Sequence, residues 1–319
     1  MLKKLTVILL CLIITASFSA CGSNKNREDK PDVSSVPANG TEQTGAAEEN
    51  KIIVSVTFNA MKEFVAAIGK DKVEIATIIP DGMEPHDFEP KAQDLARLSA
   101  AQVFVYSGLG MEAWAEEAIK AADNAELIVV EASKGADAIA NEKPEEIEEH
   151  GQYDPHIWLS LKGAQLEAKN IKDALVQADP ANKEYYETNC DNFVSELEEL
   201  YNEYNEKFQS AEKKNFVTGH AAFGYLCRDF GLEQNSVEDT FAEGEPSAQQ
   251  LTELVEYCRD NEVTAIFAEE MASPDVSQTL ANEVGAKVET IYTMEGNEDD
   301  LTYLERIEDN LAKIYESLK

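Results

Sequence analysis

The strongest constraint on this chain is a rhythm that occurs twice. After residue 50, short β-branched runs alternate with amphipathic stretches: "KIIVSVT", "NAMKEFVAAIG", "KVEIATIIP", "KAQDLARLSA", "AQVFVYSG", "MEAWAEEAIKAA" and "ELIVVEA". Strands at 52–56, 73–79, 103–106 and 127–130, each followed by a helix, make a parallel sheet with right-handed crossovers. The pattern returns in the last third with "NFVTGH", "HAAFGYLCRDFG", "SAQQLTELVEYCRDN", "VTAIFAEE", "DVSQTLANEVG" and "AKVETIYTM", which is a second α/β unit. Between the two, Tyr186, Cys190, Phe193, Leu197, Leu200, Tyr204 and Phe208 recur every three or four positions. That stripe predicts one helix, capped by Asp179 with Pro180 at its first position. At about 30 residues it reaches roughly 45 Å, a stiff strut between two lobes. A coiled-coil partner is the competing account of the stripe, but two flanking sheets offer enough surface to cover it. The expected organisation is therefore an N-terminal lobe at 51–178, a linking helix at 179–213 and a C-terminal lobe at 214–319.

What precedes residue 51 belongs to neither lobe. "MLKKLTVILLCLIITASFSAC" sets Lys3 and Lys4 before an apolar run that ends in small residues ahead of Cys21, as an export signal does, and is too short for a membrane span. Its end, "FSAC", resembles a bacterial lipobox, which implies cleavage after residue 20 and an acylated Cys21 holding the protein to a membrane. Residues 22 to 50 are rich in Ser, Asn, Gly, Pro and Glu and cannot bury a core. As a flexible tether they span roughly 30 Å r.m.s..

The net charge of −35 excludes nucleic acid and anionic lipid surfaces as partners, because phosphates repel such a chain. It is compatible with collecting cations, although solubility is the commoner reason for an acidic exterior. Of the five cysteines, Cys190, Cys227 and Cys258 lie in the folded part and show no CxxC spacing. A thiolate metal site is thereby disfavoured, and buried thiols are expected in preference to a Cys227–Cys258 disulfide.

Only four histidines are present, and three fall where strands end. His86 sits in "PDGMEPHDFEP" beyond the second strand, His156 in "DPHIWLS" closing an acidic loop, and His220 ends "NFVTGH". A single histidine beside a turn is usually held by a nearby carbonyl. Three at equivalent positions differ, because in doubly wound sheets the segments leaving the carboxyl ends of strands converge on one crevice. Three neutral imidazoles suit a borderline cation such as Zn2+, and tetrahedral closure asks for a fourth donor. Glu84, Glu269, Glu270 and Glu295 are candidates; Glu295 is favoured because it follows a strand as His220 does. Glu269 and Glu270 end "VTAIFAEE" and are expected behind the ligands, orienting an imidazole N–H. His150, in the charged loop 141–154, is expected to stay solvated, recruiting metal weakly.

These residues carry a family likeness. "PDGMEPHDFEP", "SGLGMEAW", "DPHIWLS", "DPANKEYYETN", "VTGHAAFGY", "GEPSAQQLTELVEY", "IFAEE" and "VETIYTMEG" run in order over residues 51 to 319. With them the chain resembles the zinc and manganese substrate-binding lipoproteins of bacterial ABC importers, often called cluster A-I. The resemblance implies two (β/α) lobes joined by a rigid backbone helix, with metal in the cleft between them. It carries His86, His156 and His220 over as ligands, and aligns Glu295 with the glutamate that completes the shell in Gram-positive zinc members. It implies Zn2+ as cargo, with Mn2+ the alternative, and a membrane permease with its ATPase as partners. The bearer would be a monomer on the outer face of the cell membrane that performs no catalysis. The rival from another class is a zinc hydrolase, with water at the fourth position and Glu269 as its base; no HExxH spacing supports it. A third reading, a cell-adhesion protein, rests on the lipid anchor alone.

Overall fold

The computed structural model describes residues 51–141, 147, 151–240, 247–270, 273–297, 299 and 301–319. The export signal, Cys21, the tether and His150 lie outside them.

Among the described residues, eight strands form two parallel sheets. The first joins β1 (Ile52–Val56), β2 (Val73–Thr77), β3 (Val103–Tyr106) and β4 (Ile128–Glu131) in the order β2-β1-β3-β4. The second joins β5 (Asn215–Thr218), β6 (Glu233–Ser236), β7 (Ala265–Glu269) and β8 (Lys287–Ile291) in the matching order β6-β5-β7-β8. All pairings within these sheets are parallel, Val54 for instance lying between Ile75 and Val103. In both sheets the chain order reverses between the two central strands, so the crevice of each opens at the carboxyl ends of β1 and β3 or of β5 and β7.

The connecting helices are α1 (Asn59–Gly69), α2 (Ala92–Ala100), α3 (Ala115–Ala122) and α4 (Leu161–Ala178) around the first sheet. Beyond the linking helix α5 (Lys183–Ser210) come α6 (Gly224–Phe230), α7 (Ala248–Asp260), α8 (Asp275–Val284) and α9 (Tyr303–Ser317). The expected boundaries need small corrections. β2 ends at Thr77 rather than 79, although the amides of Ile78 and Ile79 still donate to Val56 and Thr57, and β4 lies one residue later than expected. β6, "EQNS", is a strand the sequence pattern does not show: its four residues are polar, and it pairs only with β5 at the sheet edge, where polar residues are tolerated. Nor does the sequence rhythm single out α4, whose buried face mixes Leu161, Ile171 and Leu175 with three alanines, Gly163 and Glu167.

The strut is present with a different start. Pro180–Asn182 forms a 3-10 turn and the α-helix begins at Lys183, giving 28 residues and about 42 Å. Asp179 does not cap it through backbone amides; its carboxylate accepts from Asn182 Nδ2 (2.5 Å) and the Tyr186 hydroxyl (3.1 Å). Tyr186, Cys190, Phe193, Leu197, Tyr204 and Phe208 are buried, and Leu200 is half-buried. They are covered from within the chain by α1, α4, α6 and α9. One apolar cluster thus runs from β1 and β3 through the strut to Phe216, Phe267 and Ile307, while a smaller one holds Val217, Leu254, Ile266 and Leu280 behind the second sheet. Cys190, Cys227 and Cys258 are buried free thiols, as expected.

Leu197 is fully buried at mid-strut. Leu197→Ala should lower unfolding free energy by about 2–5 kcal/mol, measured by urea denaturation.

Candidate metal centre

Each of the three histidines is delivered by a different local device. His86 lies in the loop after β2, which Gly82 turns with φ 79°. The loop closes on itself through Met83 N–H to Pro80 O (3.2 Å) and Phe88 N–H to Pro85 O (3.3 Å), and Phe88 seats it on Trp114 at 5.7 Å between rings. His156 heads a 3-10 turn, Ile157–Leu159. One oxygen of Asp154 receives both its backbone N–H (2.9 Å) and its Nδ1 (2.9 Å). A carboxylate only accepts, so Nδ1 is the donor in this bond, and Nε2 is the ring nitrogen turned toward the other donors. His220 follows β5. Its backbone N–H donates to Glu269 Oε1 at 2.9 Å, and its carbonyl accepts from Thr218 Oγ1 (2.6 Å) and Gln234 Nε2 (2.9 Å). Gly219 is required beside it: a Cβ there would stand 1.9 Å from Glu269 Oε2.

The fourth group arrives after β8. Thr293 and Met294 donate their amides to the two oxygens of Glu270, at 2.8 and 3.0 Å. This grip holds Met294 at φ 62°, a left-handed conformation that a side-chain-bearing residue seldom adopts. Trp158 Nε1–H donates to Thr293 O (2.8 Å) and Asn59 N–H to Glu295 O (3.2 Å), tying the segment to the first sheet's side of the cleft. A further bond, Asn297 N–H to Asp81 Oδ1 (3.1 Å), joins it to the His86 loop.

The result is a convergence of four donors. His156 Nε2 stands 3.2 Å from His86 Nε2, 3.3 Å from His220 Nε2 and 3.8 Å from Glu295 Oε1. All four donor atoms lie within 4.8 Å of one another, with His156, His220 and Glu295 buried and His86 half-buried. Tetrahedral Zn2+ with bonds of about 2.0–2.1 Å places its ligand atoms about 3.3 Å apart, so the spacing fits such an ion with a small inward shift of Glu295. Glu295 Oε1 is fully buried without a hydrogen-bond partner, an acceptor aimed at the place where a cation would stand.

Electrostatics fit the same use. Burial, with His156 alongside, pushes His220 well below the ordinary histidine range, so it stays neutral. Burial, reinforced by Glu84 and Glu270, lifts Glu295 well above the ordinary carboxylate range. Burial also raises Glu270, and raises Glu269 to about 7 against the His220 amide bond that lowers it.

Of the sequence candidates, His86, His156, His220 and Glu295 come together. Glu84 does not join them; its carboxylate accepts the His86 amide at 3.2 Å. Glu269 and Glu270 stand behind the cluster, but they grip backbone rather than imidazole: Glu269 Oε1 is 3.8 Å from His220 Nδ1, too far for a hydrogen bond, and Glu270 serves Thr293 and Met294. The carboxylate that does orient an imidazole is Asp154, which sequence reasoning passed over although it stands two residues before His156.

Residues 54–317 match the family model for the periplasmic zinc-uptake complex component A, ZnuA. A Treponema pallidum (strain Nichols) protein described as metal-binding is 45% identical over 274 residues, covering 83% of this chain and 87% of that one. The high-affinity zinc uptake system protein ZnuA of Bacillus subtilis (strain 168) is 38% identical, with 100% of this chain and 99% of the relative aligned. Among solved structures, the metal-dependent lipoprotein YcdH of Bacillus subtilis superposes with a TM-score of 0.73 at 40% identity, over 84% of this chain and 100% of that one.

The raised Glu269 yields a pH prediction. An unfolded glutamate loses its proton near 4.5 and the folded one near 7, so the metal-free protein loses stability as pH rises through that window. Glu269→Gln keeps the acceptor for the His220 amide and cannot ionise. Relative to the unaltered protein it should gain up to roughly 3 kcal/mol between pH 4.5 and 8, read from urea unfolding of chelator-treated samples.

Proposed function

The chain belongs to the ZnuA family of zinc-uptake components, and we propose that it captures Zn2+ outside the cell through His86, His156, His220 and Glu295 and yields it to a membrane permease driven by an ATPase. The observation that carries this reading is the buried N3O convergence, with donors from both sides of the cleft. Zn2+ accepts four donors of this kind, whereas Mn2+ seeks more oxygens and a higher coordination number. The ion is cargo, and the protein performs no reaction. A hydrolase needs an open position where water binds the metal, and here a carboxylate faces that position.

The remaining parts of the reading serve delivery. Acylated Cys21 and the tether would hold a monomer at the outer face of the membrane. The lobes at 51–178 and 214–319, braced by the helix at 179–213, would stay nearly fixed as metal leaves. Hinge-type binding proteins close by large rotations, and a buried strut packed on four helices resists that.

Two experiments bear on this. Glu295→Ala should weaken Zn2+ binding on the order of a hundredfold or more in competition titrations with a chelator; unchanged zinc retention would contradict the fourth-ligand assignment and favour a water-bearing site. Because Glu295 holds its proton well above the usual range, binding Zn2+ should expel a proton, and affinity should weaken on acidification beginning above the ordinary carboxylate range. Calorimetry in buffers of different ionisation enthalpy measures that release, and a buffer-independent enthalpy would refute it.

A further inference from the structure

A carboxylate can bind a metal through one oxygen or through both, and the choice changes the coordination number. In Glu295 the two oxygens are not equivalent. Oε1 faces the imidazoles and has no hydrogen-bond partner, whereas Oε2 accepts the Thr293 hydroxyl at 3.1 Å. Thr293 is 1% exposed, and its backbone is fixed on both sides, by Glu270 at its N–H and by Trp158 Nε1 at its carbonyl. With the main chain so held and a branched β-carbon restricting χ1, the direction of the hydroxyl is determined.

We propose that Thr293 sets the denticity of Glu295, holding it to a single donor oxygen and thereby disfavouring Mn2+ relative to Zn2+. The proposal rests on the metal-capture reading given above and names the residue that makes the site selective. The hydroxyl has one proton to give, and giving it to Oε2 draws charge from that oxygen and fixes the carboxylate plane. Zn2+ loses little by this, since three imidazoles and one oxygen complete its shell. Mn2+ loses the nearest additional oxygen, which it needs to approach its preferred number. The selectivity thus comes from an obstacle to the wrong ion as well as from a fit to the right one. Thr293 acts through Glu295, so it is a positioning residue and not itself a ligand.

The test uses full-length protein, Thr293→Val and Thr293→Ser, titrated with Zn2+ and with Mn2+ against chelators, together with X-ray absorption at the zinc edge. Thr293→Val keeps the shape and loses the hydroxyl. It should lower the zinc-to-manganese affinity ratio on the order of tenfold and add one light atom to the zinc shell, while Thr293→Ser, which keeps the hydroxyl but not the branch that aims it, should fall between Thr293→Val and the unaltered protein. A Thr293→Val protein with an unchanged metal-free melting temperature, the original ratio and the original shell overturns the proposal. So does an unaltered protein whose zinc is held by both Glu295 oxygens, a result that needs no variant. Failure of the capture reading looks different: the unaltered protein would bind Zn2+ weakly, or Glu295→Ala would leave its affinity intact.

Discussion

Everything in this molecule depends on keeping three imidazole nitrogens and one carboxylate oxygen crowded together away from water. Atoms that carry lone pairs do not collect at separations near 3.3 Å unless something positive stands among them or the frame forces them there. The frame is therefore rigid at each donor. Asp154 sets the His156 ring, Glu269 takes the His220 amide, and Glu270 with Trp158 clamps the turn before Glu295. In the metal-free protein, burial is answered by protonation state: His220 is kept neutral and Glu295 is driven toward its acid form. A cation that enters such a site replaces protons and satisfies an acceptor that has no other partner.

The fold explains why these donors can come from so far apart in the chain. Two sheets of identical order send the segments that follow β2, β5 and β8 to one place, where the donors meet, while the strut packs on helices of both halves. The segment 154–160 works as the joint. It carries His156 and exchanges bonds with elements on the other side: it accepts the Tyr225 hydroxyl at Asp154 O (2.6 Å) and the Tyr303 hydroxyl at Trp158 O (2.6 Å), and Ser160 Oγ donates to Asp229 Oδ2 (2.5 Å). Motion that separated the lobes would have to break these bonds along with the metal shell.

The sequence made much of this legible, and the limits have physical causes. Seven of the eight strands are visible in the sequence because buried parallel strands are dense in β-branched and aromatic residues. A polar edge strand such as β6 leaves no such trace, and α4 hides because three alanines, Gly163 and Glu167 interrupt the apolar signal of its buried face. His86, His156, His220 and Glu295 stood out by position at strand ends. The groups behind them did not, since the bonds from Glu270 and Trp158 to Thr293 span 23 and 135 residues and arise only after β7 and β8 pair and the lobes meet. Asp154 was the one supporting group within reach of local reasoning: an aspartate two residues before a histidine can turn back to bond both its amide and its ring.

The most direct measurement is a crystal structure of the protein loaded with Zn2+, with anomalous data collected on both sides of the zinc absorption edge. The account predicts one strong peak bonded to Nε2 of His86, His156 and His220 and to Oε1 of Glu295. A peak coordinated by other residues, or one that left any of these three rings unbound, would contradict it.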